Sequence, residues 1–301
     1  MLHGIIDIGS NTIRMAIYNI TGAKIEQLLK KKHTVGLASY VKDGIMQQAG
    51  IDRAVEVLTE YKEFLDSFDI FNVAAFTTAA LRNAANSRAA VAEIEARTGI
   101  NIRVITGDEE ATYDFIGATH NVHAASGLLI DIGGGSTELV KYINRQIVKK
   151  TSIPLGSLGL KTRYVQGILP TAEEILAMWG EVKATVAAIP EFSDVTSEEI
   201  VGIGGTFKGG TALYNELFNQ PRTNAIIDTR RIKTIISTFQ GNDLSEEETI
   251  MLMRTVPDRI GTVIPGLIIA DTLAARFKSK SITYSDSGVR EGYIYAEIVD
   301  K

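Results

Sequence analysis

Leu128-Leu129-Ile130-Asp131-Ile132-Gly133-Gly134-Gly135-Ser136-Thr137-Glu138 is the stretch that decides the reading of this chain. A short apolar run ends in a carboxylate, three glycines follow, and a second apolar run opens at Leu139. Short apolar runs bounded by turn residues read as buried strands, so the stretch predicts a hairpin around a glycine turn. Backbone N–H groups can converge on an anion there, because no side chains block close approach. Ser136 and Thr137 add hydroxyl donors. Asp131 and Glu138 flank the turn with hard oxygen ligands, which suit Mg²⁺, a cation held by few carboxylates plus water and phosphate oxygens.

The pattern occurs twice. Gly4-Ile5-Ile6-Asp7-Ile8-Gly9-Ser10-Asn11-Thr12 stands 124 positions earlier. An ungapped alignment matches the Asp, the Ile and the Gly, matches Tyr18 to Tyr142, and places Arg14 opposite Glu138. The first turn has one glycine, but Ser10, Asn11 and Thr12 are polar, and Arg14 can clamp a phosphate bidentately. This long-period repeat predicts two related halves, with two phosphate-holding hairpins facing each other across a cleft.

Strand-like runs alternate with amphipathic helices around these hairpins, an α/β pattern. Helices are predicted over 51–68, over 87–98 up to Gly99, and from Asp108 onward; strands over 73–76 and 102–105. Thr171 with Glu174, and Ser245 with Glu248, read as capping boxes. The non-periodic run His120 to Gly127 is the expected domain boundary, with His120 and His123 solvated in it. Val201-Gly202-Ile203-Gly204-Gly205-Thr206 is a third glycine turn, leading from a strand into a helix, where anions bind readily. In Asp108-Glu109-Glu110 one carboxylate can serve as a general base for water; the residues themselves leave Glu109 and Glu110 open. Phe76-Thr77-Thr78-Ala79-Ala80-Leu81-Arg82 puts two hydroxyls and an arginine at a strand end.

Composition bounds the rest. The chain has 301 residues, 45% hydrophobic and 22% charged, enough for about two domains. Cysteine is absent, which excludes disulfides, thiolate metal sites and thiol nucleophiles. The best apolar run, Val263 to Ala275, is broken by Pro265 and Asp271, and no membrane span is expected. No secretory signal opens the chain, so a soluble cytoplasmic protein is expected. A net charge of −5 argues against non-specific nucleic-acid binding but allows an anionic substrate on local arginines and amides. The basic run Lys30-Lys31-Lys32 reads as a solvated face, with guidance of a polyanion as the alternative.

Taken in order, these segments resemble the exopolyphosphatase and guanosine-pentaphosphate phosphohydrolase family, of the actin-like ATPase superfamily. The resemblance is carried by Asp7 to Asn11, the Thr-Ala-Ala-Leu-Arg segment ending at Arg82 with Asn86 beyond it, Glu109-Glu110-Ala111, Asp131 through Glu138, Gly204-Gly205-Thr206, and Gly288 through Gly292. It implies two ribonuclease-H-like domains with an interdomain cleft, over 1–121 plus 288–301 and over 122–287, the last helix returning to the first domain. It implies Glu110 as the base that activates water. Mg²⁺ or another divalent cation is implied on Asp131 and Glu138, with Asp7 as a further ligand. Substrate contacts are implied at Ser10, Asn11, Arg14, Arg82, Gly133, Gly134, Gly135, Ser136, Gly204, Gly205 and Thr206. The expected substrates are polyphosphate or guanosine pentaphosphate, and a homodimer is among the expected assemblies. An ATPase or kinase on the same fold, or a non-catalytic polyphosphate or alarmone sensor, are the alternatives. Thr12 stands where Ser is common, and Gly261 stands where the family often has an acid. The chain stops at Lys301, where larger members continue into a helical extension, an expectation against processive work on very long polyphosphate.

Overall fold

Ile5, Ile6 and Ile8 are fully buried, so the strand that carries Asp7 is covered on both faces. In this computed structural model, which describes residues 1–121, 124–241 and 243–299, that strand is β1 (Leu2–Ile8). The chain divides into two compact units, Met1–Glu110 with Tyr293–Lys301, and Ala111–Gly292.

The first unit continues with β2 (Thr12–Thr21), β3 (Lys24–Thr34), the small hairpin β4 (Val41–Lys42) and β5 (Ile45–Met46), α1 (Gln48–Asp66), β6 (Val73–Thr77), α2 (Ala79–Arg82), α3 (Ser87–Thr98), β7 (Ile102–Val104) and the start of α4 (Gly107–Asn121). Its sheet runs in the order β3-β2-β1-β6-β7. The first three strands form an antiparallel meander, and β6 and β7 add parallel to β1. Alternation sorts the side chains. Ile6, Ile8, Ile13, Met15 and Ile17 face α1 and α3 in one core, while Asp7 and Arg14 occupy the opposite face. Gly99 ends α3 with a left-handed φ of 69°, a conformation glycine adopts without steric cost.

The second unit repeats this order with β8 (Gly127–Ile132), β9 (Thr137–Ile143), β10 (Gln146–Ile153), α5 (Ser157–Tyr164), α6 (Ala172–Ala187), β11 (Glu199–Ile203), α7 (Gly204–Leu217), β12 (Ile226–Asp228), α8 (Ile232–Thr238), α9 (Glu246–Thr255), α10 (Ile260–Phe277), β13 (Ser281–Ser285) and α11 (Val289–Ile294). Its sheet runs β10-β9-β8-β11-β13, the order of the first unit, with β12 added antiparallel at the edge. Both sheets thus have the expected ribonuclease-H-like order. Both predicted capping boxes form, at the starts of α6 and α9. Pro257–Phe277 is long and apolar enough to cross a membrane, but 72% of its apolar window is buried inside the fold. Val263, Ile264, Leu267, Ile268 and Phe277 sit in the second unit's core.

The division between the units falls inside α4, earlier than the expected run from His120 to Gly127. The reason is packing: Ala111, Phe115 and Ala118 of α4 cluster with Leu129, Val140, Tyr142, Val201 and Ile203 of the second sheet. His123 lies outside the described residues.

Candidate active site

Each β-hairpin turn is held in the same way. Gly133 N–H donates to the Ser136 carbonyl at 2.9 Å, and Gly9 N–H donates to the Thr12 carbonyl at 3.1 Å. A threonine hydroxyl anchors the strand end in each unit: Thr77 to the Ile8 carbonyl at 3.1 Å, and Thr206 to the Ile132 carbonyl at 3.0 Å. Thr206, expected on the substrate, is 1% exposed, and its hydroxyl donates to this carbonyl.

The segment after the third strand then takes up the carbonyls of the turn. Ser157 N–H donates to Gly133 at 2.9 Å, and Leu158 and Gly159 N–H both donate to Gly134 at 3.0 Å. In the first unit Val35 and Gly36 donate to Asn11, and Ala38 donates to Ser10, each at 2.9 Å. A trans peptide points its C=O and the following N–H to opposite sides. With the Gly133 and Gly134 carbonyls turned toward α5, the N–H groups of Gly134 and Gly135 point away from it. The partly exposed glycines therefore present two adjacent donors to an anion.

Asp131 and Glu138 are directly paired across β8 and β9, so their side chains share one face. Glu138 is 1% exposed, and its Oε1 accepts from Ser136 at 2.8 Å and from Ser152 at 2.7 Å. Asp131 lies against the α7 start: a Cβ on Gly204 would come within 2.2 Å of Asp131 Oδ1. That close approach, with a φ of +85°, requires glycine at 204. Two like charges facing each other across strands are unfavourable alone, and a hard divalent cation between them relieves the repulsion. Among the described residues no group of three or more His, Asp or Glu converges as a metal cage. The pair thus fits Mg²⁺ of the kind completed by water and phosphate oxygens, rather than a closed structural site.

The equivalent cross-strand pair in the first unit is Asp7 and Arg14. They form an ion pair at 3.1 Å, with Asp7 buried and Arg14 partly exposed. Arg82 Nη1 donates to Glu110 Oε2 at 2.6 Å and to the Ile105 carbonyl at 3.3 Å. The adjacent acids separate by environment. Glu109 is the reciprocal partner of Thr106 at the start of α4: Thr106 N–H donates to its carboxylate at 2.7 Å, Glu109 N–H donates to Thr106 Oγ1 at 3.1 Å, and Arg103 ion-pairs with it. The Thr106 amide and, next, the Arg103 guanidinium hold its carboxyl below the usual glutamate value, against the pull of partial burial. Glu110, on the next position of the helix, is 8% exposed and faces Arg82 instead.

A model of the Ppx/GppA phosphatase family matches residues 16–300. The chain belongs to that family. A Haemophilus influenzae relative named as an exopolyphosphatase is 27% identical over 295 residues, covering 97% of this chain and 90% of its own length. A Pseudoalteromonas atlantica guanosine-5'-triphosphate,3'-diphosphate pyrophosphatase is 24% identical over 98% of this chain, which spans 58% of that relative. The solved structure of the Aquifex aeolicus Ppx/GppA family member superposes with a TM-score of 0.76 at 26% identity, covering 100% of this chain and 98% of that one.

Within this Ppx/GppA fold the expected residues group by unit. Asp7, Ser10, Asn11, Arg14, Arg82 and Glu110 belong to the first unit; Asp131, Gly133 to Ser136, Glu138 and Gly204 to Thr206 belong to the second. Sequence reasoning missed Ser152, Gly156 and Ser157. Ser152 lies directly across from Glu138 on β10, and Ser157 Oγ donates to the Gly133 carbonyl at 3.1 Å. A Cβ on Gly156 would strike the Gly134 carbonyl and the Gly135 nitrogen at 2.4 Å. The signal available was the Gly156-Ser157 pair some twenty residues past the glycine turn, a glycine and a helix-favouring cap residue ahead of an amphipathic run.

Proposed function

We propose that this chain removes the terminal phosphate of inorganic polyphosphate or guanosine pentaphosphate by metal-assisted attack of water. The observation that carries the proposal is the second turn: two adjacent backbone donors beside a facing pair of carboxylates, one of them fixed by two serines. Phosphoryl transfer needs mainly positioning and charge stabilisation, which such a turn supplies. The names of the Haemophilus influenzae and Pseudoalteromonas atlantica relatives supply the two substrate classes.

In this reading Asp131 and Glu138 would hold Mg²⁺. The cation, when bound, neutralises charge on the terminal phosphate. The Gly134 and Gly135 amides orient that phosphate, with Ser10, Asn11 and Arg14 as further contacts. We assign Asp7 to holding Arg14, because one of its carboxylate oxygens accepts from that guanidinium at 3.1 Å. Glu110 positions water and accepts its proton, and Arg82 fixes the carboxylate until a phosphate competes for the guanidinium. A cytoplasmic location belongs to the same reading.

The test is phosphate release with Mg²⁺ from tripolyphosphate, long polyphosphate, guanosine pentaphosphate and ATP in parallel. Turnover should be lost in Glu110→Gln with substrate binding kept, and retained in Glu109→Gln. ATP turnover matching or exceeding that of the other three would favour an ATPase, and undiminished release by Glu110→Gln would remove the base.

A further inference from the structure

Asn86, four positions beyond Arg82, takes no part in the chemistry above, yet its half-buried side chain is engaged twice. Met46 N–H donates to Asn86 Oδ1 at 2.9 Å, and Asn86 Nδ2 donates to the Met46 carbonyl at 2.9 Å. One side-chain amide thus stands in for a peptide unit of a neighbouring strand and takes both polar groups of the Met46 backbone. The preceding residue extends the pairing: Ala85 N–H donates to the Gly44 carbonyl at 2.7 Å. The start of α3 and the β4–β5 hairpin are therefore joined by three hydrogen bonds.

That hairpin is a fixed point, although its own ladder does not fix it. β4 and β5 have two residues each, too few for an independent hairpin. It is held from outside. Leu37 and Met46 are buried in the first unit's core, and Gln47 N–H closes on the Tyr40 carbonyl at 3.0 Å. Upstream, Val35, Gly36 and Ala38 bond the carbonyls of Asn11 and Ser10. The connection from β3 to α1 thus begins on the first turn and ends on Asn86. The Arg82 segment needs such support. α2 is a single helical turn, which does not hold itself together in isolation. Its upstream end is set by Thr78 N–H on the Ile8 carbonyl at 3.3 Å and by Arg82 N–H on the Thr78 carbonyl at 3.0 Å. Its downstream end is set by Ala85 and Asn86 on the hairpin.

We infer that Asn86 is a positioning residue for Arg82, and through Arg82 for the Glu110 carboxylate that the guanidinium meets at 2.6 Å. It ties the end of the Arg82 segment to the connection that also frames Ser10 and Asn11, so that the guanidinium and the first turn keep one spacing. The inference rests on the hydrolase reading above for the reaction this spacing serves. The residue type follows from the pairing: asparagine carries a donor and an acceptor side by side, whereas ionised aspartate has no donor and alanine has neither.

The experiment uses the full chain with tripolyphosphate and Mg²⁺. Asn86→Ala should lower kcat about tenfold with KM changed less than about threefold, because Arg82 acts on the group that meets water. Asn86→Asp is the same size, keeps the acceptor and sets an oxygen against the Met46 carbonyl; it should lower kcat likewise, and it serves if Asn86→Ala folds poorly. Ile94→Val, in the same core, is the control for lost stability alone: it should unfold at lower urea and keep kcat within about twofold. The Arg82 Nε–H resonance, assigned by its loss in Arg82→Ala and followed by nitrogen-15 NMR, should shift or broaden in Asn86→Ala and stay in place in Ile94→Val. A kcat within twofold of wild type in both Asn86 variants, an equal fall in Ile94→Val, or an Arg82 resonance that does not move with Asn86 would overturn the inference. The resonance needs no turnover. Wild-type protein that releases no phosphate, while the resonance still moves with Asn86, would overturn the hydrolase reading and leave the positioning of Arg82 standing.

Discussion

Replacing Gly156 by alanine isolates the part played by the backbone of the glycine turn. Gly156 has φ −140° and ψ 159°, an extended conformation that alanine adopts freely, so any effect comes from space and not from backbone strain. The new Cβ would sit 2.4 Å from the Gly134 carbonyl and the Gly135 nitrogen, whereas ordinary contact begins near 3.4 Å. The turn or the start of α5 must therefore retreat by about 1 Å, carrying the Gly134 and Gly135 N–H groups with it. A displacement of that size in a positioning group costs roughly 10²-fold in kcat/KM. Overpacking of this kind lowers stability by about 1–3 kcal/mol. The assay is phosphate release from tripolyphosphate at saturating Mg²⁺, with urea unfolding on the same sample. Gly180→Ala is the matched control: it lies within α6 with nothing inside 4 Å of its new Cβ, and should add about 0.5–1 kcal/mol of stability without touching the kinetics. A Gly156→Ala protein within threefold of wild-type kcat/KM would refute the claim that the loop amides position phosphate.

Two further predictions concern single side chains. Ser152→Ala removes one of the two hydroxyls on Glu138 Oε1, so Mn²⁺ binding followed by electron paramagnetic resonance, and the Mg²⁺ concentration for half-maximal activity, should worsen about tenfold with the fold unchanged. Burial pushes the Asp271 carboxyl up, against the weaker opposing effects of Lys233, Trp179 and Lys183. A carboxyl raised on folding holds its proton more tightly in the native state, so its stabilising effect is full below the ordinary aspartate value and is lost as pH rises through the raised one. Asp271→Asn should accordingly flatten the fall in stability between the ordinary aspartate value and the raised one, read by urea unfolding at stepped pH; an unchanged slope would refute it.

What could be read from the sequence was whatever a short window contains. The apolar run, the acid and the glycines of 128–138 are contiguous, and the two capping boxes and the Gly99 stop depend on residues at most a few positions apart. The groups that fix the turn come from farther off. Ser152 reaches Glu138 only because β10 pairs with β9, and the α5 amides reach Gly133 and Gly134 only after that strand returns. β3 was hidden for a different reason. It is a sheet edge, with Lys30 and Lys32 exposed and Lys31 lying over the Phe64 ring, so its weak apolar alternation resembles a solvated basic run. The unit division escaped because α4 keeps an unbroken helical pattern through Glu110 and Ala111; only the packing of Phe115 and Ala118 shows that its later turns belong to the second sheet.

The two hairpins share a turn hydrogen bond, a threonine anchor and a set of amides that turn the carbonyls aside, so the backbone frame of the turn is the same in both units. The difference is concentrated at one cross-strand position. With arginine there, the opposing aspartate is neutralised inside the protein, and the guanidinium has donors left for a phosphate. With glutamate there, two carboxylates face each other, and serines from the turn and from β10 hold the second one while it is buried. One cross-strand position in a repeated frame therefore separates a hairpin with an internal ion pair from one in which two carboxylates face each other, the pair assigned to Mg²⁺ in the proposal above. Exchanging only that position should not interconvert them, because Ser152, the residue that makes a buried glutamate tolerable, comes from a third strand whose counterpart in the first unit, β3, places Lys32 opposite Arg14.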